Sequence, residues 1–555
     1  MTTPGKRIGT IVSLFFLLLI SNAASQPTWA QSPPRLDLGG AITAGGDEEA
    51  YLRVLQIAGL APLTPWSIQP FSPTQAHALR TLRAHPWAAR FGGLDSNEIS
   101  SRDEARLLRP AVRALMNSAF PFQDGGGPTW AGRGLTGEIQ AGVAANWNAL
   151  SIQLAPLAFA AQNAGFTLAP NGQSGTKQFA DARYPNNIDA PQRFGNATYA
   201  RLTPGTSTLA LDAFDVFVGV SSAPQRWGPA RDYPLVLGPN AGGFPMVFLG
   251  TSAPVDLWLF KVHARVIYGE LGQSAFTDTV AGESRRLGSG VVATLLPRGT
   301  SGLEIGASRF IHRPWEGVPS LHTLLRPFGS GISDNLPGST TNLALENQTA
   351  SVFARWALPN AKAEFYGEMY REDFAGGFHV AASSLVEKPD DYSAFTLGFQ
   401  HVSTTSGTHI RVIRGELVNG ETSHQERGQR GFTVPLPIYI HSAETQGHTL
   451  DGLILGSPEA YGGAGWRLGL DDFTPGGSRS ITLERSLRFD WLPTLPANGP
   501  MVHPDVIYDA RLALKRFDGS REYGFSLIPA VDLNRNLVSG HDVFNLLAEI
   551  SVRGW

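Results

Sequence analysis

The chain has 555 residues, with 62 Gly, 39 Pro, 16% charged residues and a net charge of −3. That length leaves room for a large β-barrel plus a small domain. The Gly and Pro content favours strands and turns over a helical bundle, and the near-neutral balance gives no reason to expect a nucleic-acid partner. The absence of cysteine excludes disulfides, thiolate zinc sites and cysteine-linked lipid.

Residues 1–30 read as an export signal, with Lys6 and Arg7 ahead of the apolar run Ile11 to Ile20. The run falls within the roughly 7–15 residues of a signal core and short of the ~20 that span a bilayer. Ala24 and Ala30 are candidate cleavage ends. No later run is long and apolar enough to span as a helix, so any membrane crossing must be made by a barrel.

Residues 31–124 read as a small helical region. Tyr51, Leu52, Leu55 and Ala58 share a helical face, with Gly59 as a stop. Ser72-Pro73-Thr74-Gln75 carries a serine N-cap, a proline at the first helical position and the glutamine of a capping box. Ser101-Arg102-Asp103-Glu104 repeats that logic before Leu107, Leu108, Val112 and Leu115, with Pro110 expected to kink the helix. So few helices cannot form a large core alone, and the expectation is that they pack on the periplasmic rim of a barrel.

From residue 125 onward the period becomes two. Leu135, Gly137, Ile139, Ala141, Val143, Ala145 and Trp147 alternate with polar residues. So do Phe260 to Tyr268 around Lys261, His263 and Arg265, Phe395 to Phe399 around Thr396, and Tyr508 to Leu514 around Asp509 and Arg511. In Leu209 to Phe260 the apolar positions Phe214, Val216, Val218 and Val220 predict a strand. It runs into Gln225-Arg226-Trp227-Gly228-Pro229, a rigid turn presenting one planar cation and one aromatic face.

That turn, with Leu235-Val236-Leu237, Pro239-Asn240-Ala241 and Phe244-Pro245, resembles the Wzi family of capsule-assembly proteins. A second block, His448-Thr449, Gly452, Leu455-Gly456 and Gly465-Trp466, resembles it again in the same order. Known members often carry two tryptophans before the Gly-Pro, where this chain has one. The resemblance implies an outer-membrane β-barrel with a periplasmic helical part that holds surface polysaccharide on the cell.

The residues alone fit a water-soluble sandwich or a membrane barrel. In a sandwich the apolar face meets another sheet; in a membrane barrel it meets lipid and the polar face lines the lumen. Strands of about ten residues and aromatics such as Trp258, Tyr268 and Trp491 near strand ends favour the barrel. Trp555 ends the chain on an aromatic, out of register with Leu546, Ala548, Ile550 and Val552, which requires a bulge near Gly554. The fold expected is mainly β, an outer-membrane antiparallel barrel of about 16–18 strands, with 18 favoured by the resemblance. Residues 165–196, 314–341, 374–390 and 421–463 are expected as outer loops, where binding function concentrates.

Other motifs carry little chemistry. Gly132-Arg133-Gly134-Leu135-Thr136-Gly137 matches GxGxxG but precedes a strand, so it reads as a turn. Asp532, Asn534 and Asn536 open like a calcium loop, but Leu537 and Val543 stand where glycine and glutamate are needed, which leaves a polar hairpin. His379, His401, His424, His441 and His448 read mainly as lumen or loop residues. Glu364, Glu368 and Glu372 read as a ladder paired with Arg355 or Arg371, an acidic lumen stripe being the alternative.

The candidate polysaccharide-binding residues are Arg226, Trp227, His448, Tyr461, Trp466 and Arg467, with Gly228 and Pro229 shaping the turn. Sugars stack apolar faces on aromatics and take hydrogen bonds from arginine. Equally, Trp227 could pack under its own loop while Arg226 pairs with Asp232. The expected partners are capsular or exopolysaccharide, outer-membrane lipid and polysaccharide-export machinery, with no cofactor, metal or catalytic residue. A diffusion porin is the alternative, and an outer-membrane hydrolase using a Ser/His pair comes third.

Overall fold

The computed structural model describes residues 42–80, 84–91, 104–123, 127–277, 285–315, 317–329, 346–372, 392–421, 437–442, 444–495 and 503–554. The expected signal at 1–30, the loop 374–390, His379, His424 and Trp555 lie outside them.

Among the described residues, 18 antiparallel strands close into one barrel. The first six are β1 (Glu104–Asn117), β2 (Gly134–Trp147), β3 (Leu150–Leu154 continued by Leu157–Ala161), β4 (Tyr199–Thr203 continued by Thr208–Ala213), β5 (Val216–Ser221) and β6 (Met246–Thr251 continued by Val255–Leu257). The next six are β7 (Phe260–Leu271), β8 (Arg286–Pro297), β9 (Leu303–Pro314), β10 (Asn347–Leu358), β11 (Ala363–Glu372) and β12 (Ser393–Thr405). The last six are β13 (Ile410–Asn419), β14 (Ala464–Thr474), β15 (Gly477–Phe489), β16 (Asp505–Asp518), β17 (Arg521–Leu533) and β18 (Val543–Arg553). Each strand pairs with its neighbour in sequence, and β1 closes the ring on β18 from Ala111↔Arg553 to Met116↔Ala548.

Alternation decides what each face meets. On β11, Glu364, Tyr366, Glu368 and Tyr370 are buried while Phe365 is 56% exposed. On β10, Arg355 is 1% exposed and Val352 52%. The same inversion holds at Leu397, Ile481 and Leu512, all exposed, against buried Thr396 and Thr482. A water-soluble sandwich would bury the aliphatic face. Here the greasy face is the bare one, so hydrocarbon is the solvent it fits.

Among the described residues two α-helices precede the barrel, α1 (Asp47–Ile57) and α2 (Pro73–Arg80). The capping box ahead of α2 forms in both directions. Gln75 N–H donates to Ser72 Oγ at 3.1 Å, and Ser72 N–H donates to Gln75 Oε1 at 3.2 Å. The third expected helix does not exist. Glu104–Asn117 is β1, and the barrel therefore begins before residue 125. A bulge between Leu108 and Ala111 accommodates Pro110 and inverts the alternation. Leu107 points out before it, and Leu115 points in after it.

The expected run of strand from Phe214 to Val220 is also broken. Phe214 and Asp215 both take positive φ, 54° and 60°, and turn β4 into β5. Turns of this kind, such as Pro359–Ala361 between β10 and β11, mark one end of the barrel. The long connections, described at residues 162–198, 222–245, 437–442 and 444–463, lie at the other end. In bacterial outer-membrane barrels the short turns face the periplasm.

α1 and α2 enter at the short-turn end and fill the lumen instead of resting on the rim. Tyr51, Leu52, Leu55, Trp66, Phe71 and Trp87 form one core with the inward-facing Val402, Ile410, Val412 and Phe473. A second core lies deeper. It is built from the connection after β5, which folds inward, and the connection after β13, including Trp227, Leu235, Val236, Tyr439, Leu450 and Tyr461.

Candidate functional site

The Arg226-Trp227-Gly228-Pro229 turn lies inside the barrel. Arg226 and Trp227 form a two-residue strand against Ile68 and Gln69, with Ile68↔Trp227 and Gln69↔Arg226 in register. Trp227 is wholly buried, edge-on to Phe310 of β9 at 6.2 Å between centroids. Arg226 pairs with Glu49 of α1 at 2.8 Å, not with Asp232. Burial pushes the Glu49 carboxyl up, but the guanidiniums of Arg226 and Arg53 outweigh it and hold the group below the usual range. Gly228 takes φ +90°, and a Cβ there would sit 2.5 Å from a Glu368 carboxylate oxygen. The positive φ is what calls for glycine at that point.

The plug is tied to the wall by buried charge. Arg53 of α1 donates to Glu364 at 3.1 Å and to the Pro229 carbonyl at 2.8 Å. Arg355 bridges Glu364 to Glu304 and also donates to Gln56 at 2.7 Å. Glu304 in turn accepts the backbone N–H of Trp66 at 3.0 Å and the Ser67 hydroxyl at 2.8 Å. Of the Glu364, Glu368 and Glu372 ladder read from the sequence, the Glu364–Arg355 pair forms, with Arg53 of the helix as a third member, while Glu372 accepts the Tyr439 backbone N–H.

The next residues of the loop dock on β13. Glu416 accepts three backbone N–H groups, from Arg231 at 2.9 Å, Asp232 at 3.1 Å and Tyr233 at 2.6 Å. Asp232 receives Arg414 at 3.0 Å and Arg467 at 3.1 Å. Burial raises its carboxyl, yet Arg414, Arg467 and Arg231 together hold it well below the ordinary carboxylate range. Arg467 also pairs with Glu484. Trp466, its neighbour on β14, falls on the other face, in phase with the exposed Leu468 and Leu470. The strand thus splits the Trp-Arg pair, sending the ring outward and the guanidinium into the lumen.

His448 and Tyr461 lie in the connection between β13 and β14. His448 is fully buried and donates through Nε2 to Val236 O at 2.6 Å. It stacks on Tyr439 at 5.3 Å and meets Phe310 edge-on at 5.8 Å. Burial lowers its imidazole to about 4, against a raising effect from the Val236 carbonyl. Tyr461 donates to Asp181 at 2.9 Å beneath the Arg183 guanidinium, which lies 4.3 Å from its ring centre. Asp181 and Arg183 come from the connection between β3 and β4, so three connections meet here.

Five of the six candidates are therefore brought together inside the barrel, and Trp466 is not. Sequence reasoning missed Glu49, which pairs with Arg226, and Arg53, Glu304 and Glu416, which hold the neighbouring plug residues to the wall, because these contacts join segments far apart in the chain. A cavity of about 240 Å³ remains between α1 and the wall, lined in part by Glu49, Arg226, Asp232, Arg414 and Arg467. Among the described residues no group of three or more His, Asp or Glu side chains is placed to hold a metal. Asp532 pairs with Arg535 in the β17–β18 hairpin, as a polar turn and not as a calcium loop.

A closed barrel with a bare apolar belt, short turns at one end, long inward-folded loops at the other and a helical plug is an outer-membrane β-barrel. The family model described as capsule assembly protein Wzi matches residues 124–473, and the chain belongs to that family. Among solved structures it is similar to Wzi, described as an outer membrane protein involved in group 1 capsule assembly in Escherichia coli and a carbohydrate-binding β-barrel. The TM-score is 0.62 and the identity 14%, over 92% of this chain and 99% of that one. OccAB2 of Acinetobacter baumannii (TM-score 0.38, 11% identity, 81% of this chain and 98% of that one) and OccK2 of Pseudomonas aeruginosa (0.40, 9%, 81% and 97%) are more distant. No curated protein matches the chain in sequence.

Proposed function

We propose that this protein binds capsular or related surface polysaccharide at its outer loops and anchors it to the cell surface without chemical turnover. The family match over residues 124–473 carries the reading. It spans both sequence blocks of the resemblance and the connections that fold into the lumen. The carbohydrate binding of the Escherichia coli barrel supports it by similarity of fold.

Arg226, Trp227, His448, Tyr461 and Arg467 act as supports in this reading. They are too buried to offer a sugar a free face, and they fix the connections at 162–198, 222–245 and 437–463 from below. Polymer contacts come from the outer surfaces of those connections. Many weak contacts along one chain then add through effective concentration. The segment 42–91 serves as a periplasmic seal. A diffusion porin needs an open lumen, and packing of three inward segments works against one.

The test is retention of a labelled acidic polysaccharide by the purified, folded protein, together with polymer release from cells lacking the gene. Retention in vitro and release of polymer into the medium, with synthesis unchanged, is the expected result. A folded protein that retains nothing, or cells that keep their polymer, would overturn the proposal. Loss of polymer length on incubation would instead point to a hydrolase.

A further inference from the structure

The barrel wall is doubled at one place on its outside. On β8, Arg286 points inward to the lumen loop, donating to the Gly447 and Thr449 carbonyls. Leu287, Ser289 and Leu295 therefore lie on the lipid side. On β9 inward His312 puts Ile311, Arg309 and Ile305 on that same side. Leu295 and Ile305 are exposed, as the belt requires, but Leu287, Ser289 and Ile311 are buried. Register places Tyr268, Ser289, Ile311 and Gln348 in one row across β7 to β10, toward the long-loop end.

The segment 317–329 lies over this row. It contains the short helix Leu321–Leu325, capped by the Ser320 hydroxyl, and the turn Arg326–Phe328 packed on β8 and β9. Tyr268 donates its hydroxyl to the Leu324 carbonyl. Arg309 donates to the Gly329 carbonyl and to Gln348, and Arg326 pairs with Glu346 at 2.8 Å. The inner side of the segment is thus polar and hydrogen-bonded to the wall. It covers an arginine that would otherwise face hydrocarbon, where a charge is costly. The outer side is the reverse. Val318 is 99% exposed, and Leu321, Leu325 and Phe328 are all more than half exposed.

We propose that this segment is a strap embedded in the outer leaflet, and that outer-leaflet lipid is the partner of its apolar side. Continuity decides the occupant. The strap stands on the lipid side of the wall and continues upward the belt made by Ile305, Leu295 and Val352. Its side chains would meet acyl chains at the depth where a short amphipathic helix lies in the interface. The strap gives the barrel a second lipid contact on the β7–β10 side, which fixes how the molecule sits in the leaflet.

The chain has no cysteine, so single labels are unambiguous. The variants Val318→Cys, Leu321→Cys and Phe328→Cys are labelled with an environment-sensitive fluorophore in the full-length folded protein. They are reconstituted in phospholipid vesicles containing doxyl-labelled lipid. Leu295→Cys serves as the belt control and Ser301→Cys, in a short exposed turn, as the aqueous one. The strap labels are expected to emit blue-shifted light like Leu295→Cys. They should be quenched more by doxyl groups near the headgroup than by deeper ones. Emission matching Ser301→Cys, without quenching, overturns the proposal. So does disulfide cross-linking of two copies through Leu321→Cys in the vesicles, which would make the strap an interface between protomers. Heat-modifiable migration of each variant confirms that the barrel is folded before the labels are read.

Discussion

The two plugs inside the barrel are held in different ways. The lower one, α1 and its flanks, carries an apolar core but is fastened to the wall by a chain of buried charges, Arg53–Glu364–Arg355–Glu304. The upper one, made by the connections after β5 and β13, is fastened mainly by backbone groups and stacked rings, with Asp232 adding ion pairs to Arg414 and Arg467 of the wall. The backbone and ring contacts include Glu416 with its three N–H donors and His448 with Tyr439 and Phe310. Charge pairs fix a rigid helix against a rigid wall at chosen points. Backbone contacts suit loops, whose main-chain groups have no helix to satisfy them and must find partners when buried. The lower plug should therefore fail when one ion is removed, and the upper one when its polar bookkeeping is disturbed.

The largest effect is expected from Arg355→Ala. It leaves Glu304 without its arginine in a buried site, Glu364 keeping Arg53, and breaking such a pair costs about 3–5 kcal/mol. Chemical denaturation followed by loss of heat-modifiable migration reads the stability. Proteolysis of segment 42–91 reads the plug. Because the barrel ladder itself is untouched, cleavage at 42–91 should appear before the barrel unfolds. Simultaneous loss of both would show that the plug is integral to the ladder. The double variant Arg355→Met with Glu304→Gln should recover part of the loss by removing the stranded charge, since Glu364 keeps Arg53.

The upper plug is sharpened by pH. His448 is held neutral, its imidazole lowered to about 4 by burial, while an unfolded histidine titrates near 6.5. Between those values the released loop takes up a proton that the docked loop refuses. Docking is therefore strongest above pH 6.5, weakens as pH falls toward 4, and changes no further below that. The full window is worth about 3 kcal/mol at 1.36 kcal/mol per unit. Arg286 stands close by and disfavours the charged form further. Amide exchange in residues 437–463 should accelerate across this window, and His448→Gln should flatten the dependence. Unchanged exchange down to pH 4 would mean that the histidine is not what holds the loop.

Much of this architecture is legible in the sequence, and its failures have physical causes. Strands such as Phe260–Leu271 keep period two throughout, so both faces read directly. β1 does not, because the bulge at Leu108/Ala111 shifts the phase midway and leaves Leu107, Leu108, Val112 and Leu115 at spacings a helix also tolerates. The two Trp-Arg sites diverge for a similar reason. In the loop, Arg226 and Trp227 are both buried by the plug, whereas on β14 the backbone forces Trp466 and Arg467 to opposite faces. Adjacency in sequence says nothing about adjacency of side chains until the backbone is known. The anchors Arg53 and Glu49 were invisible as such, since a charged residue on a helix normally marks its solvated side.

The bare outer face gives a third test, of intermediate size. Val352→Arg places a charge on the lipid side of β10, at an expected cost of about 2–4 kcal/mol near the bilayer midplane and less toward either interface. Val352→Leu should be close to neutral. The same arginine at a position already sheltered by the strap should cost less than at Val352, which compares the two kinds of outer wall in one assay.

The smallest effect concerns the entry to α2. Ser72→Ala removes the cap that Gln75 N–H uses and also a hydroxyl that donates to the Ser252 carbonyl of the β6 turn. Cap losses of this kind cost about 0.5–2 kcal/mol. The second contact argues for the upper part of that range, because a buried carbonyl loses its donor at the same time. Ser72→Thr keeps both bonds and should be nearly silent. Ser72→Asp keeps the cap but cannot donate to the carbonyl, so it separates the two contributions. If Asp behaves like Thr, the helix cap dominates. If it behaves like Ala, the tie between plug and barrel turn dominates, and the lower plug is pinned at its second helix as well as its first.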